Sequence, residues 1–291
     1  MEQVLKRPPW WAWFSLMGLE IPSAAIAWAF AVSQSHLVVV SSPWLYQFLF
    51  VAVWCVNMLD RVLKIFRGGS AVYTDECLLF AKKHCFVISL LIMVAAVTGL
   101  WIMFFQLGVV IFQFAFLPGV SSLLFLYFSS NPRQKGSLSS GFVMGAFFAA
   151  VSFATGAGIP AYFYGTVGGG WGGQLSEPTW YLVALVILCM FSRKRWSEEE
   201  DEDGQDSADR DMVSLVWMGV IVIYVVFCLA AAAREYTGDA WIYYGLAMAG
   251  AFMFVLDRLK MNMPPLLLHT LSWVALIFPL LLSGILAQAS S

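Results

Sequence analysis

Apolar residues run along most of this chain in blocks close to twenty long, separated by short polar pieces. That length is what a helix needs to cross the hydrocarbon core of a bilayer, about 20 residues. Nine such blocks can be read, over approximately 10–32, 44–63, 85–105, 107–128, 140–163, 179–192, 213–233, 240–256 and 265–287. The third and fourth are divided by almost nothing polar, and the sixth is short. The polar pieces test the count independently, because cytoplasmic loops collect Lys and Arg. With the N-terminus inside, the inner pieces hold Lys6, Arg7, Arg61, Lys64, Arg67, Lys82, Lys83, Arg133, Lys135, Arg193, Lys194, Arg195, Arg210, Arg258 and Lys260, which leaves Arg234 alone outside. A miscounted helix would scramble that partition. The pattern therefore predicts an all-α, polytopic membrane protein of nine transmembrane helices, one domain over 1–291, with a cytoplasmic N-terminus and an outer C-terminus.

Composition supports this reading. The chain is 60% hydrophobic and 12% charged, with a mean hydropathy of +0.78, outside the range of an ordinary soluble domain. The expected place is a bacterial-type inner membrane, as an integral multi-pass protein with no nucleic-acid partner. The first block follows Lys6 and Arg7 as a signal peptide would, but it is too long, carries Glu20 and several tryptophans, and reads as an uncleaved anchor. The net charge of −2 hides an asymmetry, since 9 of the 18 acidic residues lie in 198–211, "EEEDEDGQDSADRD". That density of charge without apolar residues predicts a disordered cytoplasmic loop at about 193–212. "GTVGGGWGGQLSEP" reads as a glycine-rich outer loop, and no strand precedes it to make a phosphate-binding fingerprint. The five cysteines are scattered without a CxxC, and His36, His84 and His269 are equally dispersed, so neither set is assigned to a metal.

Ionisable groups in or beside spans are costly and so mark candidate sites. Asn57, Asp60, Arg61 and Lys64 stand at the inner end of the second helix in "NMLDRVLK". At about 100° per residue, positions 57, 60 and 64 are expected to share a face. The plain alternative is a helix-surface ion pair between Asp60 and Lys64. Arg133 and Lys135 form a second group, suited to an anion beside a helix N-terminus or to anchoring alone. In the acidic run, Glu198 with Glu202 and Glu199 with Asp203 are i, i+4 pairs that could share a hard cation, against the plainer reading of a solvated linker. Glu20 lies in the middle of the first helix. Asp257, Arg258 and Lys260 echo the second helix, "LDRLK" beside "LDRVLK".

The segments "VWCVNMLDRVLKIFRG", "LLFLYFSSNPRQKGSLSSGFVMGAFF" and "LDRLKMNMPPLLLHTLSWVALIFPLLL", with the nine-helix pattern, resemble the UbiA-type superfamily of intramembrane prenyltransferases. That resemblance implies Mg²⁺ held by two Asp-rich motifs, after helices two and six, with an isoprenyl diphosphate at the cytoplasmic surface and a hydrophobic or aromatic acceptor. Carried over residue by residue, Asp60 and Asn57 would be catalytic and hold metal together with Glu198 and Glu202. Arg61, Lys64, Arg133 and Lys135 would bind the diphosphate. Aligned on Asp60, the three acidic positions of the first motif read Asn57, Asp60 and Lys64, and the second motif has no literal copy. The resemblance thus leaves open an active Mg²⁺-dependent transferase and a catalytically inactive relative. A small transporter of lipid-like ligands is the remaining alternative.

Overall fold

The computed structural model describes residues 9–10, 12–35, 42–67, 76–129, 140–164, 174–201, 207–235, 240–260 and 263–290, and among them every regular element is helical. The chain divides into two compact units, Met1–Leu175 and Ser176–Ser291. The first holds α1 (Ala12–Leu16), α2 (Glu20–Ser35), α3 (Pro43–Phe66), α4 (Glu76–Lys83), α5 (Cys85–Trp101, continuing as a π-helical segment, Ile102–Leu107), α6 (Ile111–Ser129) and α7 (Ser140–Tyr164). The second holds α8 (Glu177–Asp201), α9 (Ser207–Arg234), α10 (Ala240–Leu259) and α11 (Pro265–Ser290).

Among the described residues, five helices are long and apolar enough to cross a membrane: Cys85–Leu107, Ile111–Ser129, Ser140–Tyr164, Ser214–Arg234 and Ala240–Leu259. A shorter apolar helix covers Leu266–Leu282. These are the marks of a multi-pass membrane protein. On α5 the exposed side is apolar, including Val94, Val97, Phe104 and Phe105, and a bilayer would cover it without cost.

Three boundaries differ from the sequence expectation. The first block is two helices, because Gly18 takes a left-handed backbone (φ +64°) that ends α1 and redirects the chain into α2. α4 was not expected. The expected loop at about 193–212 is helical at both ends, with α8 running on to Asp201 and α9 starting at Ser207.

Local sequence accounts for the elements that hold the first unit. Ser42 caps α3, its hydroxyl accepting from the Trp44 N–H at 3.3 Å, and Pro43 occupies the first helical position, where a missing N–H costs nothing. Pro118 inside α6 leaves the Phe114 carbonyl without its usual helical donor. The buried Gln174 side chain supplies one at 3.0 Å, an internal replacement that a membrane interior requires. α6 and α7 approach closely through small residues: Ser122 and Ser152 hydroxyls are 2.6 Å apart, and a Cβ on Gly145 would meet the Ser129 backbone at 3.6 Å. The π segment turns Ile102, Met103 and Leu107 into one cluster with Leu45, Ile111 and Ile159. At one end of this unit lie the last turns of α3 and α6, the first turn of α7, and α4 at the mouth of α5.

Candidate functional site

The site begins at the break between α1 and α2. The last carbonyls of a helix have no intrahelical donor, and here those of Ser15 and Leu16 at the end of α1, and of Met17 and Gly18 just beyond it, are served by one face of α3, with the Ser15 carbonyl also accepting from the Gly18 N–H at 2.9 Å. Arg61 Nη2 donates to the Ser15 carbonyl at 3.1 Å and Nη1 to that of Leu16 at 2.9 Å. Trp54 Nε1 donates to the Met17 carbonyl at 2.9 Å, and Asn57 Nδ2 to that of Gly18 at 3.2 Å. Positions 54, 57 and 61 are spaced three and four apart, which puts them on one helix face. Gly18 is required as well as permitted here, since a Cβ would stand 2.6 Å from Asn57 Nδ2.

Glu20 opens α2 at this junction and is fully buried. Its Oε1 accepts from the Ser15 hydroxyl at 3.2 Å and pairs with Arg61 Nη2 at 3.4 Å. A buried carboxylate and a buried guanidinium thus neutralise each other where neither could stand alone. Expected as a residue deep in a continuous first span, Glu20 is instead at a helix start. Its partner is a residue that the resemblance assigned to diphosphate.

Asp60 looks the other way. Its Oδ2 lies 2.6 Å from Lys64 Nζ, one turn along α3, and its Oδ1 accepts from the Ser129 hydroxyl at the end of α6, also at 2.6 Å. Asp60 is buried, whereas the Lys64 side chain remains 38% exposed, so the ammonium reaches the surface. The shared face expected for 57, 60 and 64 is therefore split between two neighbours, because α1 and α2 flank one side of α3's last turns and α6 the other. Asn57 and Arg61 serve the junction; Asp60 and Lys64 form a separate pair.

The second unit has its own carboxylate centre. Asp257, near the end of α10, is buried, and its Oδ1 receives Arg195 Nη2 and Trp196 Nε1, the latter at 2.8 Å, with Lys260 Nζ at 3.9 Å. Oδ2 has no hydrogen-bond partner among the described residues. Arg193 stacks over the Trp273 ring at 5.6 Å, and Arg258 over Phe254 at 5.6 Å. Sequence reasoning missed Gly18, Trp54, Arg195 and Trp196. "GLEIPS" carried a signal for the first: a Gly followed by an acidic residue and a Pro within one helical turn is a helix-start pattern.

Arg133, Lys135 and Glu202, and the side chain of Glu198, lie outside the described residues. Whether the described donors fit the Mg²⁺ that the resemblance implies is decided at Asp60. Mg²⁺ wants near-octahedral oxygen ligands, with one or two carboxylates beside water and phosphate. Asp60 is the carboxylate at this place, both its oxygens are engaged, and one carries an ammonium that opposes a divalent cation. Asn57 has turned its amide to the Gly18 carbonyl. These donors do not fit a Mg²⁺ ion, and among the described residues no three His, Cys, Asp or Glu side chains gather. Comparison of the chain with protein-family models, with curated proteins and with solved structures finds no match.

Proposed function

We propose that this protein is a nine-span membrane protein with its N-terminus in the cytoplasm and a UbiA-like bundle. In this reading it binds an isoprenyl diphosphate at the cytoplasmic face through fixed cations and is catalytically inactive as a Mg²⁺-dependent prenyltransferase. The observation that carries it is the state of Asp60, held at 2.6 Å by both Lys64 and Ser129. A half-exposed ammonium at this place suits a phosphate oxygen, as Lys clamps on phosphoryl groups do. Lys64 takes the anion together with Arg133 and Lys135 of the following inner loop, while Arg61 is left out because its guanidinium is spent on the α1–α2 junction. The prenyl tail lies among the apolar helices.

Purified protein in lipid nanodiscs would be incubated with radiolabelled prenyl diphosphates of several chain lengths, with and without Mg²⁺, beside a panel of aromatic acceptors. The expected result is saturable binding that does not need Mg²⁺ and no transferred product. Product formation that depends on Mg²⁺ and disappears in Asp60→Ala would replace the inactive reading by an active enzyme. Absence of binding at every chain length would overturn the isoprenoid reading itself.

A further inference from the structure

We propose that the α5–α6 hairpin is the surface through which two copies of this chain associate within the membrane. α5, with its π-helical continuation, and α6 are the two least buried of the five membrane-crossing helices. From Cys85 to Ser129 the chain holds no charged residue, and Gln106 and Gln113 are its two amides. Both are exposed, one in the π-helical segment and one in the first turn of α6. Thr98, also exposed, has its hydroxyl on the Val94 carbonyl of its own helix at 2.9 Å. Neither amide has a side-chain hydrogen bond among the described residues.

The turn between them keeps both amides with the apolar layer. Gly108, at φ +74°, bends the chain, and the N–H groups of Ile111, Phe112 and Gln113 are taken up by the carbonyls of Gly108, Val109 and Val110 at 3.3, 3.1 and 3.2 Å. Residues 107–112 are Leu, Gly, Val, Val, Ile and Phe, so no polar side chain draws the tip into water. Phe105 is 75% exposed and Val109 74%, and the Phe104 and Phe112 rings meet at 5.6 Å across the turn. Lipid tails cover such rings and aliphatic chains, but they offer an amide no hydrogen bond. Gln side chains on facing helices do. A carboxamide carries both an N–H₂ and a C=O, so the same patch on a second copy is complementary to this one, as a two-fold interface requires. The absence of charge removes repulsion between the copies and leaves nothing on this face for a charged partner to recognise.

Full-length protein carrying one fluorophore per chain would be reconstituted in liposomes over a range of protein-to-lipid ratios, and single-molecule photobleaching would count the copies in each complex. The two-copy fraction should rise with protein density and saturate, as mass action requires. An interhelical hydrogen bond in a membrane is worth about threefold in association, so losing two amide pairs costs about tenfold. Gln106→Leu/Gln113→Leu should therefore need about tenfold more protein per lipid for the same two-copy fraction, with the helical circular dichroism unchanged. Should that variant fail to fold, Val109→Arg sets one cation against another across the same interface from an exposed position and should abolish the two-copy species. A two-copy fraction no greater than chance co-occupancy of liposomes at every ratio, or one that neither variant lowers, overturns the proposal. Neither result bears on the isoprenoid reading, which rests on Asp60 and Lys64.

Discussion

The string Leu-Asp-Arg followed shortly by Lys occurs near the end of α3 and again near the end of α10, and the two copies are used differently. In the first unit the Arg turns inward, with Arg61 buried against Glu20 and two carbonyls, and the equally buried Asp pairs with a partly exposed Lys. In the second the Arg turns outward, with Arg258 exposed and stacked on Phe254, and Asp257 is the buried hub, taking Arg195 and Trp196 from α8. The same local sequence therefore fixes a broken helix in one unit and ties two helices together in the other. A broken neighbour supplies helix-end carbonyls that draw in a guanidinium; α8 supplies an Arg and an indole that draw in the carboxylate. What surrounds a motif decides its chemistry.

The arginines should separate the two copies most. Arg61→Ala takes the guanidinium away from the buried Glu20 carboxylate and strips donors from two carbonyls, a loss of about 3–5 kcal/mol. Arg258→Ala removes an exposed cation–π contact worth about 0.5–1 kcal/mol. Thermal or denaturant unfolding in one detergent would read both, and equal losses would break the comparison. Adding Glu20→Gln to Arg61→Ala should recover part of the loss, because the buried charge is then gone.

How much of this was legible follows from the same residues. The apolar blocks located α3, α5, α6, α7, α10 and α11 to within a few residues, because a run of apolar side chains states its length directly. The break at Gly18 was hidden by Leu16, Met17 and Leu19, which keep the hydropathy high across it; the conformation, not the polarity, ends the helix there. The pairing of Asp60 with Lys64 was readable as an i, i+4 contact. That Ser129 completes it, and that Arg61 belongs to another network, depends on where α6 and α1 end in space, which spacing along α3 does not encode. Asp257 was visible as an echo. Its donors in α8 were not, because they lie some sixty residues away in a stretch that reads as a charged linker.

The aspartates make the second test. Asp257→Asn keeps the shape and an acceptor but removes the charge beneath Arg195 and Lys260, both of them mostly buried, and should cost about 2–3 kcal/mol. Asp60→Asn should cost about 1 kcal/mol, since Lys64 is free to turn its ammonium to water. Unfolding midpoints measured side by side would check the order. A larger loss at Asp60 would make that pair a structural tie and would remove it as a place for a ligand.

The lysines give the smallest change in stability and the sharpest functional contrast. Lys64 lies on a partly exposed i, i+4 pair, so Lys64→Gln should shift stability by no more than about 0.5 kcal/mol. Lys260, at 3.9 Å from Asp257 and behind Arg195, is a secondary contributor to its centre, and Lys260→Gln should stay within about 1 kcal/mol. Binding separates them. A charged hydrogen bond to phosphate is worth about 1.5–3 kcal/mol, so Lys64→Gln should weaken prenyl diphosphate binding by about ten- to a hundredfold while Lys260→Gln leaves it unchanged. The checking measurement is the nanodisc binding assay run on both variants at matched stability. If both weaken binding equally, the anion meets a diffuse basic surface rather than the Asp60 pair. If Lys64→Gln destabilises the protein as Arg61→Ala does, its ammonium is a lock on the fold, and the difference between the two copies lies in their arginines alone.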